Sequence, residues 1–81
     1  MEITVKYFGM IADITQKKEE VFFVEEAGIL LEKIQLKIEM IYPKILNIKY
    51  SICLNKQLIT NCEVVLNDKD EVALLPPFAG G

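Results

Sequence analysis

Eighty-one residues with 52% apolar content describe one domain that must stabilise itself by burial, with no room for a linker and a second core. A net charge of −3 and the lack of a dense basic run exclude a binder of nucleic-acid backbones. No apolar run is long enough to span a bilayer, and no signal-peptide pattern follows Met1, so a cytoplasmic protein is expected.

The chain opens on alternation. Over residues 2–8, Ile3, Val5 and Tyr7 point one way and Glu2, Thr4, Lys6 and Phe8 the other, which predicts a strand with one buried face. Phe8 breaks the pattern as a large apolar residue on the polar side, and Gly9 ends the strand. Residues 10–16 fit a short helical turn that tucks Ile11 and Ile14 inward. The run 17–20, Lys-Lys-Glu-Glu, reads as a solvated turn, and residues 21–24 read as a second strand, antiparallel to the first.

From about residue 30 to 42 the period changes. Leu31, Ile34, Ile38, Ile41 and Ile45 recur at intervals of three and four, the stripe of an amphipathic helix. No Ser, Thr, Asp or Asn stands ready to cap its start, and Pro43 sets its stop. Leu36 and Met40 lie off the stripe and are expected to be exposed. Residues 50–54 predict a third strand, Asn55-Lys56-Gln57 a turn, 58–60 a short strand, 67–70 a polar turn and 71–75 the last strand. The order is α+β, with one main helix covering the Ile3/Val5/Tyr7 face of a mixed sheet of four to five strands.

If the last strand lies parallel beside the first, Phe8 and Leu75 finish at the same edge. Val72 and Leu74 then face the helix, while Ala73, Leu75, Phe8 and Leu58 form an apolar patch on the open face. Such a patch is either a local cluster or a binding surface, and a charged rim favours the latter. Residues 76–81, Pro-Pro-Phe-Ala-Gly-Gly, form a tail beyond this strand. Two prolines cannot continue a sheet ladder and hold the chain extended, so six residues can carry the terminal carboxylate about 20 Å from the body.

The sequence offers no conventional active site. There is no His, no nucleophile–base pair and no phosphate-binding glycine loop. Cys53 and Cys62 cannot make a four-ligand zinc site; core thiols are expected, with a disulfide or a persulfide carrier as alternatives. Asp68, Asp70 and Glu71 read as solvated carboxylates rather than metal ligands, and no bound metal or cofactor is expected.

Val5-Lys6-Tyr7-Phe8-Gly9 near the start and the stretch from Leu66 to Gly81 at the end resemble the ubiquitin-like β-grasp sulfur carriers. Asp70-Glu71-Val72, two apolar positions, Pro76-Pro77 and Gly80-Gly81 are similar above all to the small subunits of molybdopterin synthase. Thiamine-pathway carriers share the fold and the Gly-Gly but are usually shorter and lack the double proline; a ubiquitin-like protein modifier is a further alternative. The chain departs from the pattern at Lys69, where a Gly is usual, at the helix start near Leu30, and over residues 43–49. Lys69 must therefore accept a positive φ, or the turn is rebuilt.

The resemblance implies a carrier and co-substrate. A ubiquitin-activating-like adenylyltransferase would use ATP to adenylate Gly81, and a sulfur donor would convert it to a thiocarboxylate. The large synthase subunit, in a heterotetramer, would then use that sulfur to build the dithiolene from a cyclic pyranopterin phosphate. Gly80 and Gly81 would thread a narrow channel. Phe78 and Ala79 would contact it, Pro76 and Pro77 would stiffen the tail, and Phe8, Leu58 and Leu75 would dock the body.

Overall fold

A computed structural model describes residues 1–25 and 28–77 of the chain. The described residues form a five-stranded mixed sheet with helices on one face, the ubiquitin-like β-grasp arrangement. In chain order the elements are β1 (Glu2–Tyr7), α1 (Gly9–Thr15), β2 (Glu19–Phe23), α2 (Leu31–Ile41), a 3-10 turn (Pro43–Asn47), β3 (Ser51–Leu54), β4 (Gln57–Ile59) and β5 (Glu71–Leu75). The strands lie in the order β2-β1-β5-β3-β4. Only the β1–β5 pair is parallel, with Val5 opposite Val72 and Tyr7 opposite Leu74; the other three pairs are antiparallel.

The period-2 pattern of β1 places Ile3, Val5 and Tyr7 in the core, joined from neighbouring strands by Phe22, Val72, Leu74 and Ile52. Leu31, Ile34 and Ile38 of α2 close over them and are fully buried or nearly so. Each such side chain contributes about 1.5–3 kcal/mol by leaving water, which lets α2 form without a side-chain cap at Leu30. Ile11 and Ile45 complete the core from α1 and the 3-10 turn, so α2 does not cover the sheet alone.

The predicted elements shift at several of their ends. The first strand ends at Tyr7, because Phe8, at φ −124° and ψ 152°, already serves as the N-cap of α1. β2 begins at Glu19 rather than 21, so Glu19 and Glu20 belong to the sheet, paired with Lys6 and Val5. Glu20 is therefore not a solvated turn residue. Its side chain shares the helix-covered side with Phe22, where it accepts hydrogen bonds from Tyr7 (2.7 Å) and Tyr42 (3.0 Å) on one oxygen and from Lys17 Nζ (3.0 Å) on the other. Ile41 leaves the expected stripe and is 50% exposed, because α2 stops there; Tyr42 turns inward, its ring edge-on to Tyr7 at 6.0 Å.

The turns explain themselves through φ. Asn55 and Lys56 sit at φ 50° and 71°, the two positive values that a type I′ hairpin loop demands, and Gln57 has already joined β4. Lys69 adopts φ 70°, so the chain keeps the left-handed turn and places a side chain where glycine would be unstrained. Asp70 holds this turn by accepting from the backbone N–H of Asn67 (2.7 Å), and Asp68 accepts from that of Glu2 (2.7 Å). These carboxylates are turn braces rather than merely solvated groups. Because Lys69 also pairs with Glu2, its backbone strain is best isolated by comparing Lys69→Gly with Lys69→Ala. The glycine variant is expected to be more stable by about 1 kcal/mol in urea unfolding; equal stabilities would mean that the turn carries no strain.

Candidate functional site

The sheet face away from α2 carries the candidate site. Register alignment places Lys6, Ala73, Cys53 and Leu58 in one row across β1, β5, β3 and β4, with Leu75 and Ser51 paired in the adjacent row. Phe8 follows Tyr7, the partner of Leu74, and so arrives beside Leu75 at the end of the parallel pair. Of the expected docking residues, Phe8 and Leu75 are thus neighbours. Leu58, 67% exposed, shares their face but lies two strands from β5, about 10 Å away. The patch is a band rather than a single cluster. Lys6 and Glu71, 3.4 Å apart, supply charge on this same face, where apolar surface with a charged rim is typical of a binding surface.

Cys53 had been expected in the core, but it stands half-buried in this band between Ala73 and Leu58. The alternation that buries Ile52 turns Cys53 outward, a signal present in the sequence. Cys62 packs partly against the core beside the Tyr50 cluster, in which Tyr50 donates to Glu39 (2.5 Å) and accepts from Gln35 (3.0 Å). Burial, then Glu32 and Glu39, pushes the Cys62 thiol above its ordinary value. A thiol held protonated is a weak nucleophile, which argues against Cys62 as a persulfide carrier.

The root of the tail is fixed by a close approach. Pro76 is half-buried and Pro77 exposed. Gly9 sits at φ 54°, and a Cβ added there would lie 2.9 Å from Pro76 Cγ. The pyrrolidine ring therefore occupies the space a side chain would need, which sets where the chain leaves the sheet. Gly9 was legible as a strand end, but its contact with Pro76 was not legible from spacing alone. Gly9→Ala is expected to lose about 1–2 kcal/mol, part from the left-handed φ and part from displacing Pro76. In a Pro76→Ala background the loss should shrink; an unchanged loss would show that the contact does not matter.

Phe78, Ala79, Gly80 and Gly81, the remaining residues predicted to act, lie outside the described residues. Among the described residues no group of three or more His, Cys, Asp and Glu side chains could hold a metal, and no helix is long and apolar enough to cross a membrane.

Leu75→Glu tests the docking role. A carboxylate in an apolar contact should weaken binding of a docked partner at least about tenfold without unfolding the half-buried site. Unchanged affinity would remove Leu75 from the interface.

Comparison with known proteins gives one matching family model, the ThiS family, over residues 5–81. Among solved structures, a chain of the complex of subunits 1 and 2 of molybdopterin-converting factor from Helicobacter pylori 26695 is 33% identical, with both chains fully covered and a TM-score of 0.66. A candidate molybdopterin converting factor subunit 1 from Pyrococcus furiosus is 20% identical over 96% of this chain and 99% of its own, at a TM-score of 0.85. A chain of the BexX/CysO complex from Amycolatopsis orientalis is 22% identical over 98% of this chain and 99% of its own, at 0.70. The last two are similar in fold.

Proposed function

This chain belongs to the ThiS family of ubiquitin-like sulfur carriers, and we propose that it serves as the small, sulfur-donating subunit of a molybdopterin synthase. The observation that carries this reading is the placement of the tail root. β5 runs parallel to β1 and delivers Pro76 to the edge where Phe8 and Leu75 adjoin. A partner docked on the open face would thus meet both the body and the start of the tail. The 33% identity to a chain from a complex of two molybdopterin-converting factor subunits supports this acceptor over the thiazole pathway.

In the proposed chemistry, the Gly81 carboxylate, ionised at neutral pH, attacks the α-phosphorus of ATP on an adenylyltransferase. Pyrophosphate leaves and an acyl-adenylate forms. A hydrosulfide-equivalent donor then attacks the acyl carbon, AMP departs with the former carboxylate oxygen, and a thiocarboxylate remains. On the large subunit its sulfur would attack a carbon of a cyclic pyranopterin phosphate and displace an oxygen substituent of that carbon; water would then cleave the acyl carbon–sulfur bond, leaving the sulfur on the pterin and the carrier as carboxylate. A dithiolene takes two sulfurs, hence two loaded carriers; the heterotetramer is what the family resemblance implies. In this reading the chain's contribution is its tail, which leaves the sheet where Pro76 packs against Gly9 and which two prolines would stiffen.

Presenting the loaded carrier to alternative acceptors tests the assignment. With purified large subunit and pyranopterin precursor, the sulfur should leave the carrier and a dithiolene should appear. Transfer only to a thiazole-forming enzyme, or isopeptide conjugates on lysines instead, would overturn it.

A further inference from the structure

A second surface lies on the opposite side of the molecule, where β2 meets α2. We propose that the free edge of β2 and the groove beside α2 bind an extended segment of a partner protein, apolar at alternate positions and flanked by acidic residues. β2 is the outer strand of the sheet. Val24 N–H donates to Met1 O (2.8 Å) and Tyr7 N–H to Lys18 O (2.9 Å), while Ile3 and Val5 face Phe22 and Glu20. The even-numbered residues of β2 therefore turn their backbone groups toward β1, and Glu19, Val21 and Phe23 turn theirs outward. No described backbone group pairs with those three. An unpaired edge of this kind is a template for an added strand.

Beside that edge runs a groove of about 830 Å³, with Phe22 on the β2 side and Leu36, Met40 and Ile41 on the α2 side. Met40 is 84% exposed, and Leu36 and Ile41 are each about half exposed. A strand added to β2 would send alternate side chains into this groove and the others toward Phe23, which is 78% exposed on the open face.

Charge selects the occupant. Lys33 and Lys37 also line the groove, and among its described lining residues there is no carboxylate, although the whole chain carries a net charge of −3. A second copy seated there symmetrically would bring its own Lys33 and Lys37 against the first pair, a like-charge contact. An Asp or Glu of a partner set over the α2 side of the groove meets Lys33 and Lys37 instead, with the exposed Glu19 and Glu25 at the two ends of β2 as the charges it must avoid.

The test titrates the full chain, labelled for amide NMR, with a short synthetic peptide of alternating Ile and Thr flanked by Asp and Glu, and with the same peptide flanked by Lys. The acidic peptide should shift the amides of Val21, Phe23 and α2, and bind about tenfold more tightly than the Lys-flanked one. Lys33→Glu together with Lys37→Glu should reverse that preference. Val21→Pro removes one outward N–H while sparing the ladder to β1, and should abolish binding. Met40→Glu, at a highly exposed position, should weaken binding and serves if Val21→Pro misfolds. Absence of shifts with the acidic peptide, shifts confined to the open sheet face, or equal affinity for both peptides would overturn the proposal. Concentration-dependent shifts at β2 and α2 without peptide would overturn it in favour of self-pairing.

Discussion

Removal of Gly81 is expected to abolish sulfur transfer while leaving thermal unfolding where it is in the parent chain. The deletion shortens the tail by one residue, a loss of reach of up to about 3.5 Å. Displacing a reacting group by about 1 Å already costs on the order of a hundredfold in rate, so a shift several times larger should leave no transfer that can be measured. Gly81→Ala keeps the length but adds a methyl group next to the acyl carbon, which the narrow channel proposed for the partner would not admit, and it should fail as well. Stability should be untouched because the sheet ends at Leu75. Thiocarboxylate formation and precursor conversion are the readouts, with thermal melting as the control. A Gly81-deleted protein that still supports dithiolene synthesis would contradict the assignment of this residue.

Glu20→Ala should produce the largest loss of stability of any single polar substitution on the helix-covered side. The carboxylate ties β2 to β1 through Tyr7, to the end of α2 through Tyr42, and to the loop after α1 through Lys17. Removing it strands two partly buried tyrosine hydroxyls, at a cost of about 2–3 kcal/mol, and a lowering of the melting temperature by about 10–20 °C for a domain of this size. Glu20→Gln keeps an acceptor and should lose less.

The same group sets an acid dependence. Burial acts to raise the Glu20 carboxyl, but the hydrogen bonds from Tyr7, Lys17 and Tyr42, with the Lys17 charge, outweigh it and hold the carboxyl below its ordinary value. Burial first, and then Glu20, raises the Tyr7 hydroxyl, which stays protonated as the donor. Glu20 therefore stabilises the fold fully above the ordinary carboxylate range, and that contribution disappears as pH falls through its lowered folded value. The stability gap between parent and Glu20→Ala should be constant near neutrality and narrow in acid. A gap independent of pH would mean that the charge on Glu20 contributes nothing.

The parts of the fold legible in the sequence were those written in a period. Alternation placed Ile3, Val5 and Tyr7, and the three-four spacing placed Leu31, Ile34 and Ile38. The parallel β1–β5 pairing was a supposition in the sequence, and the structure contains it, which sets the position after Tyr7 next to Leu75 in the register. Glu20 was hidden because a run of four charges looks like a solvated turn. Counting back by twos from Val24 through Phe22 would have put a carboxylate on the buried side and demanded donors for it. Ile41 was misplaced because a stripe read in sequence assumes that the helix continues, and here it stops. The seat of Pro76 on Gly9 joins residues far apart in sequence, and only the folded chain brings them together.

The central claim rests on Gly81, and intact mass spectrometry addresses it most directly. The protein is incubated with ATP, a purified adenylyltransferase shown to be active on its own carrier, and a sulfide source, then weighed whole and fragmented. The account predicts a mass gain equal to replacement of one oxygen by sulfur, located at Gly81. An unchanged mass, or sulfur found on Cys53 or Cys62 instead, would contradict it.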